Sequence, residues 1–133
     1  MATANTNMDH ARLYDFTKEM FSRAGMDEDG AATCADCLVQ TNLWGIDSHG
    51  ILRLPIYTQR LRRQVIKANP EVLTKKGAGA FEVMHGDDGM GYLVGRAAMR
   101  RAIALAKQYS IGVVGVTRSN HFGAAALFAK MAA

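Results

Sequence analysis

The apolar residues of this chain change their spacing partway along, and that change limits the folds open to it. Up to about residue 67 they recur at helical spacing, and from about residue 78 they form a strand, a helix and a second strand. A helix buries one face at a period of 3.6 residues and a strand one face at a period of two, so the halves need different partners. Strand, helix and strand in succession form the unit that pairs two strands in parallel. The chain therefore reads as α/β, with an N-terminal helical segment over 9–67 and a β-α-β-α unit over 78–133.

Local signals place the elements. Asp9 is a candidate cap for a helix to about Ala24, in which Leu13, Phe16, Met20, Phe21 and Ala24 share one face. Gly25 is its stop, and Asp27 caps a second helix to about Trp44, with Glu28 and Asp29 in the first turn. After the turn Ile46-Asp47-Ser48-His49-Gly50 a third helix ends near Val65, and Pro55 requires either a start at that residue or a tighter turn before it. Asn69-Pro70 opens a loop that continues through Lys75-Lys76-Gly77. Ala80 to Met84 reads as a strand, Gly86 to Gly91 as a loop and Tyr92 to Tyr109 as a helix. Ile111 to Val116 is near-continuously apolar, the pattern of a strand buried on both faces. A loop over 117–123 leads to a helix from Ala124 to Ala133, and residues 1–8 read as a loose lead-in.

At 133 residues the chain has room for one domain. With 49% apolar and 21% charged residues it is neither a disordered tail nor a disulfide scaffold. No apolar run reaches the roughly 18 residues that span a bilayer, and the N-terminus lacks a basic segment followed by an apolar one. A cytoplasmic protein without a membrane partner is expected. The net charge of +4 is mild, and the basic residues Arg60, Arg62, Arg63 and Lys67, like Arg96, Arg100, Arg101 and Lys107, have no interleaved aromatics. They read as solvated helix faces, so no nucleic-acid partner is expected.

Four other features bear on chemistry. Cys34 and Cys37 fall inside a predicted helix with no second pair, so they read as core rather than as metal or redox ligands. Gly89, Gly91 and Gly95 follow a strand and open a helix, but their spacing is one residue too long for a dinucleotide turn. They read as a turn with small residues for packing. In helical geometry His49, Arg53 and Tyr57 share one face, stacking an imidazole, a guanidinium and a phenol. An imidazole can move a proton near neutral pH, and a guanidinium grips a carboxylate with two bonds. The fourth is Ser119-Asn120-His121-Phe122-Gly123, a loop at the carboxyl end of a strand, where ligand sites concentrate.

Gly45-Ile-Asp-Ser-His49-Gly-Ile-Leu-Arg53-Leu-Pro-Ile-Tyr57 resembles the G-x-x-S-H-G-x-x-R-L-P-x-Y segment of the malate/L-lactate dehydrogenase type-2 family. Ser119-Asn-His121-Phe-Gly-Ala-Ala125 is similar to its second signature, S-N-H-[FY]-G-A-A, and Asp88 to Met99 also resembles the family. The resemblance runs from about residue 9 to 133. It implies an oxidoreductase that uses NAD or NADP on 2-hydroxy or 2-oxo acids, or on cyclic imino acids, with a fold unlike the usual Rossmann domain. It implies a homodimer. It also implies that His49 and His121 are the active-site histidines, that Arg53 holds the substrate carboxylate with Tyr57 and Ser48 beside it, and that Asn120 shapes the pocket.

Departures from the family are visible too. Ala126-Leu127-Phe128 stands where relatives often carry a glycine and two aromatics. Members are more than twice this length, and the resemblance implies that most of the cofactor-binding residues lie beyond Ala133. The chain therefore reads as the N-terminal portion of such an enzyme, an incomplete non-Rossmann dehydrogenase fold. The alternative is a non-catalytic carboxylate-binding or interaction module from a truncated gene.

Overall fold

The computed structural model describes residues 7–133. Most of the expected lead-in over residues 1–8 falls on residues 1–6, outside the described residues, as does most of the N-terminal stretch read for a leader.

Helices α1 (His10–Arg23) and α2 (Glu28–Leu43) start where the capping signals placed them. The Asp9 carboxylate accepts from the amides of Ala11 and Arg12, both at 3.1 Å, and Asp27 accepts from Gly30 at 2.8 Å. These bonds satisfy amides that the helix itself leaves unpaired. The buried face of α1 is rotated from the expected one. Phe16 is exposed, and Thr17 is buried instead because its hydroxyl donates to the Leu13 carbonyl at 2.6 Å. Phe21 packs with Leu38 of α2, and with Tyr57, Tyr92 and Ile66, into the main core. Cys34 and Cys37 lie in this core as free thiols.

Two short 3-10 turns, Asp47–His49 and Ile51–Arg53, precede α3 (Leu54–Arg62). This resolves the difficulty at Pro55, which occupies the first turn of α3, where no amide donor is needed. The helix stops short of the expected Val65. Lys67 then pairs with Asp87 and continues the chain to the sheet.

Three strands form the sheet in the order β1-β2-β3: β1 (Leu73–Ala78), β2 (Phe81–Gly89) and β3 (Val113–Ser119). β1 is antiparallel to β2, and β3 is parallel to β2 across α4 (Gly91–Tyr109). The parallel β-α-β unit is as expected, whereas β1 is an added strand in a segment expected to be loop. β2 also runs through Gly86–Gly89, likewise expected as loop. Glu82, Met84 and Gly86 turn toward α4, where Arg101 grips the Glu82 carboxylate with two bonds of 2.5 and 2.7 Å. The short α5 (Ala126–Ala132) packs on α4 through Phe128, whose ring lies where a Cβ on Gly95 would be 2.7 Å away. It begins two residues later than the expected Ala124, and Ala133 is its C-cap rather than its last helical residue. Ala124 and Ala125 instead supply the carbonyls that its first amides bond.

One expectation fails. β3 is open rather than buried on both faces, with Val113 47% and Val116 39% exposed. Its apolar run needs cover, but among the described residues it is an edge strand with nothing beyond it.

Candidate functional site

The site forms where the 3-10 turns meet the loop after β3. Its two walls come from opposite halves of the sequence, and the glycines explain how they reach each other. Gly91 opens α4 so close to the Asn120 and His121 carbonyls that no side chain fits there. Gly123 has φ +73°, the left-handed region that glycine adopts without strain, and packs on the Tyr92 ring. The loop therefore lies flat on the start of α4 and presents His121 toward the turns. The reading of Gly89, Gly91 and Gly95 as packing residues fits this geometry.

His49 and His121 stack with ring centroids 5.7 Å apart and planes 27° from parallel. The Tyr57 hydroxyl lies 2.6 Å from His121 Nδ1. Tyr57 is 2% exposed, and burial pushes its hydroxyl up from 10.0, so it keeps its proton. The Tyr57 hydrogen bond of normal geometry is to His121 Nδ1; with the hydroxyl donating there, the neutral ring carries its hydrogen on Nε2. Ser48 Oγ lies 2.9 Å from His49 Nδ1, within hydrogen-bond reach, and holds that ring's orientation.

Arg53 donates from Nε to the Ser48 carbonyl at 2.7 Å. No carboxylate among the described residues pairs with it, so its two terminal amino groups remain free for a ligand. Its charge reaches both Tyr57 and His121. Partial burial, followed by the charges of Arg53, His49 and Arg60, holds the His121 imidazolium below the usual 6.5. The open side of the His121 ring is nevertheless exposed. The cluster thus offers an open imidazole that is neutral at pH 7, a second imidazole against it and an unpaired guanidinium beside both.

Five of the six predicted residues come together here: Ser48, His49, Arg53, Tyr57 and His121. The route differs from the expected one. His49 and Arg53 lie in 3-10 turns broken at Gly50, so they do not share one α-helical face with Tyr57. His121 joins His49 and Tyr57 across the fold, and Arg53 is held beside them by its local bond to the Ser48 carbonyl. Asn120 does not join the cluster. Its amide donates to the Asp88 carbonyl at 2.7 Å and to that of Gly89 at 3.3 Å, pinning the loop to the end of β2.

Sequence reasoning missed two supporting residues. Asn42 accepts from the Ile51 amide at 2.6 Å and donates to Asp47 at 2.5 Å, bracing the turn that carries His49. A side chain this close to Gly50 also explains why that position is glycine. Tyr92 packs edge-on against Tyr57 at 5.9 Å and 90°. Asn42 was visible only as a polar residue at a helix end, and Tyr92 only as an aromatic at a helix start.

The Cys34 and Cys37 thiols take no part. Burial pushes Cys37 up to about 12 and Cys34 up as well, so both remain protonated and unreactive. An apolar groove of about 490 Å³ borders the same loop between β3, α4 and α5, but neither histidine lines it.

The malate/L-lactate dehydrogenase family model matches residues 8–133. The chain belongs to this family. Within the family it is 36% identical to the malate dehydrogenase of Pyrococcus abyssi over 91% of this chain and 33% of that protein. It is 37% identical to the L-sulfolactate dehydrogenase of Methanocaldococcus jannaschii over 86% of this chain and 33% of that one. The solved malate dehydrogenase of Pyrococcus horikoshii OT3 superposes with a TM-score of 0.93 at 33% identity, covering 96% of this chain and 37% of that chain. The chain spans about a third of the length of the family members it matches.

Proposed function

We propose that this chain supplies the proton-transfer and carboxylate-binding side of an NAD(P)-dependent oxidoreductase that interconverts 2-hydroxy and 2-oxo acids. The observation that carries this reading is the stacked His49–His121 pair beside an unpaired Arg53. Relatives named malate and L-sulfolactate dehydrogenase support the 2-hydroxy acid class. The cyclic imino acids implied by the resemblance share the carboxylate that Arg53 would hold. A homodimer in the cytoplasm belongs to the same reading.

The chemistry follows from the groups present. A 2-oxo acid carries a carboxylate next to its carbonyl. The Arg53 terminal amino groups take the carboxylate as a bidentate pair, while the Nε bond to Ser48 fixes the plane of the guanidinium. That orientation brings the carbonyl oxygen toward the histidines. His121 or His49 gives a proton to the oxygen in reduction and removes it in oxidation. The rings are coupled, because burial and the charges of Arg53 and His49 oppose a positive charge on His121. Tyr57 and Ser48 hold the rings in place, and Asn120 holds the loop.

The start of α4 at Gly91 is closed on its Cβ side by the Asn120 and His121 carbonyls. In this reading the cofactor is held mostly by residues beyond Ala133, and what the chain contributes is confined to the proton and the carboxylate. The second reading is a carboxylate-binding module without turnover, for which the unpaired Arg53 would suffice.

Reduction of a panel of 2-oxo acids with NADH and NADPH separates the two. The oxidoreductase reading predicts turnover that falls by about 10²–10⁴ in His49→Asn and His121→Asn, the usual contribution of a proton-transfer group. Carboxylate binding with no turnover supports the module. Turnover unchanged in both histidine variants contradicts the assignment.

A further inference from the structure

The Tyr92 hydroxyl is fully buried and has no hydrogen-bond partner among the described residues. Buried polar groups are nearly always paired, so an orphan at the edge of a site calls for a reason. Its neighbours are Gly123, where a Cβ would come within 2.6 Å of the hydroxyl, and the Tyr57 ring, met edge-on. Tyr57 in turn holds His121.

We propose that Tyr92 is a positioning residue whose buried hydroxyl is the reserve acceptor for Tyr57 whenever His121 takes up a proton. With His121 neutral, Tyr57 donates to Nδ1, and the Tyr92 hydroxyl lies against Tyr57 without a hydrogen bond of normal geometry. A proton arriving at Nδ1 reverses that bond, because Nδ1–H must now donate to the Tyr57 oxygen. The Tyr57 hydrogen then has to turn away, and Tyr57 is too buried to offer it to water. Tyr92 is the nearby oxygen that can accept it, and the two phenols are close enough for each to perturb the other's ionisation. The pair of phenols thus lets one histidine hold either protonation state without stranding a donor. A phenylalanine at position 92 would keep the packing and remove the acceptor.

Other groups face His121 without supplying an acceptor for that hydrogen. His49 and Arg53 approach from the turns and Arg60 from α3, and each opposes a positive charge on the ring. Cys34 and Cys37 of α2 lie near the two phenols as protonated thiols, which are weak acceptors. The proposal rests on the reading of His121 as a proton-transfer group only for its consequence in turnover. Its readout is a titration, so it can fail while that reading stands, and the reverse.

The test is an NMR pH titration of the His121 ring in this chain, in Tyr92→Phe, in Tyr57→Phe and in the double variant. Tyr92→Phe should lower the His121 midpoint by about half a unit or more, roughly a threefold loss in proton affinity. In the Tyr57→Phe background the same change should have no effect. A second measurement needs no variant. With tyrosine labelled at Cζ, the Tyr92 resonance should follow the His121 midpoint. An unmoved midpoint in Tyr92→Phe, an equal drop without Tyr57, or a flat Tyr92 resonance through the titration would each overturn the proposal.

Discussion

His121 shows how a single side chain ties this site to the stability of the fold. Burial and the neighbouring cations favour its neutral form, so its folded value lies below the 6.5 it would have in an unfolded chain. Between those two values the unfolded state binds more protons than the folded one. The stabilisation is complete above 6.5, is lost as pH falls from 6.5 through the folded value, and stays constant below it. Urea unfolding of His121→Asn should therefore show a flatter dependence on pH through that window than the wild type, and superimposable curves would count against the environment described. Arg53 offers a second test. Lysine keeps its charge but loses both the planar fork and the Nε bond to Ser48. Arg53→Lys should raise KM by about tenfold or more, the loss of one charged hydrogen bond, with a smaller change in kcat.

At the level of the elements, the contact between α4 and the loop after β3 sets the site. The Gly91 position faces backbone carbonyls of Asn120 and His121, which cannot move aside as a side-chain tip would. Gly91→Ala should cost about 1–3 kcal/mol and displace the loop, read as a lower melting temperature together with loss of the Tyr57–His121 hydrogen bond by NMR. An unchanged hydroxyl–imidazole signature would show that the contact does not place His121. The elements that could be read from sequence are those with local causes. Asp9 and Asp27 fix the starts of α1 and α2 with their own side chains. β1 has no such cause. Thr74, Lys75, Lys76 and Gly77 are polar and exposed, and they become a strand because β2 supplies the partners. Lysines on an edge strand guard it rather than build it. The site was legible in the same uneven way. Helical spacing grouped His49, Arg53 and Tyr57, yet the contacts that join His49 and Tyr57 run through His121, far away in sequence. The supporting positions, Asn42 and Tyr92, depend wholly on that tertiary arrangement and left no local pattern.

Across the whole molecule, the helical half and the sheet half share one core, and the site lies on their seam. The core joins Phe21, Leu38 and Tyr57 to Met90, Tyr92 and Phe128. No helix of the described residues is long and apolar enough to cross a membrane. The sheet is asymmetric at its edges: β1 carries lysines, whereas β3 exposes Val113 and Val116. The chain in solution should therefore associate through β3 at high concentration, and Val113→Lys should reduce that association in sedimentation or light scattering. Equal association in both proteins would place the contact elsewhere. The central claim is that Arg53 and the paired histidines form one carboxylate-binding, proton-handling site. Titrating the chain with a 2-oxo acid while following the ring resonances of His49 and His121 tests this most directly. The account predicts saturable shifts of both rings at a common midpoint, with binding weakened about tenfold or more in Arg53→Lys. Rings that do not respond, or that respond equally well without the guanidinium, would contradict it.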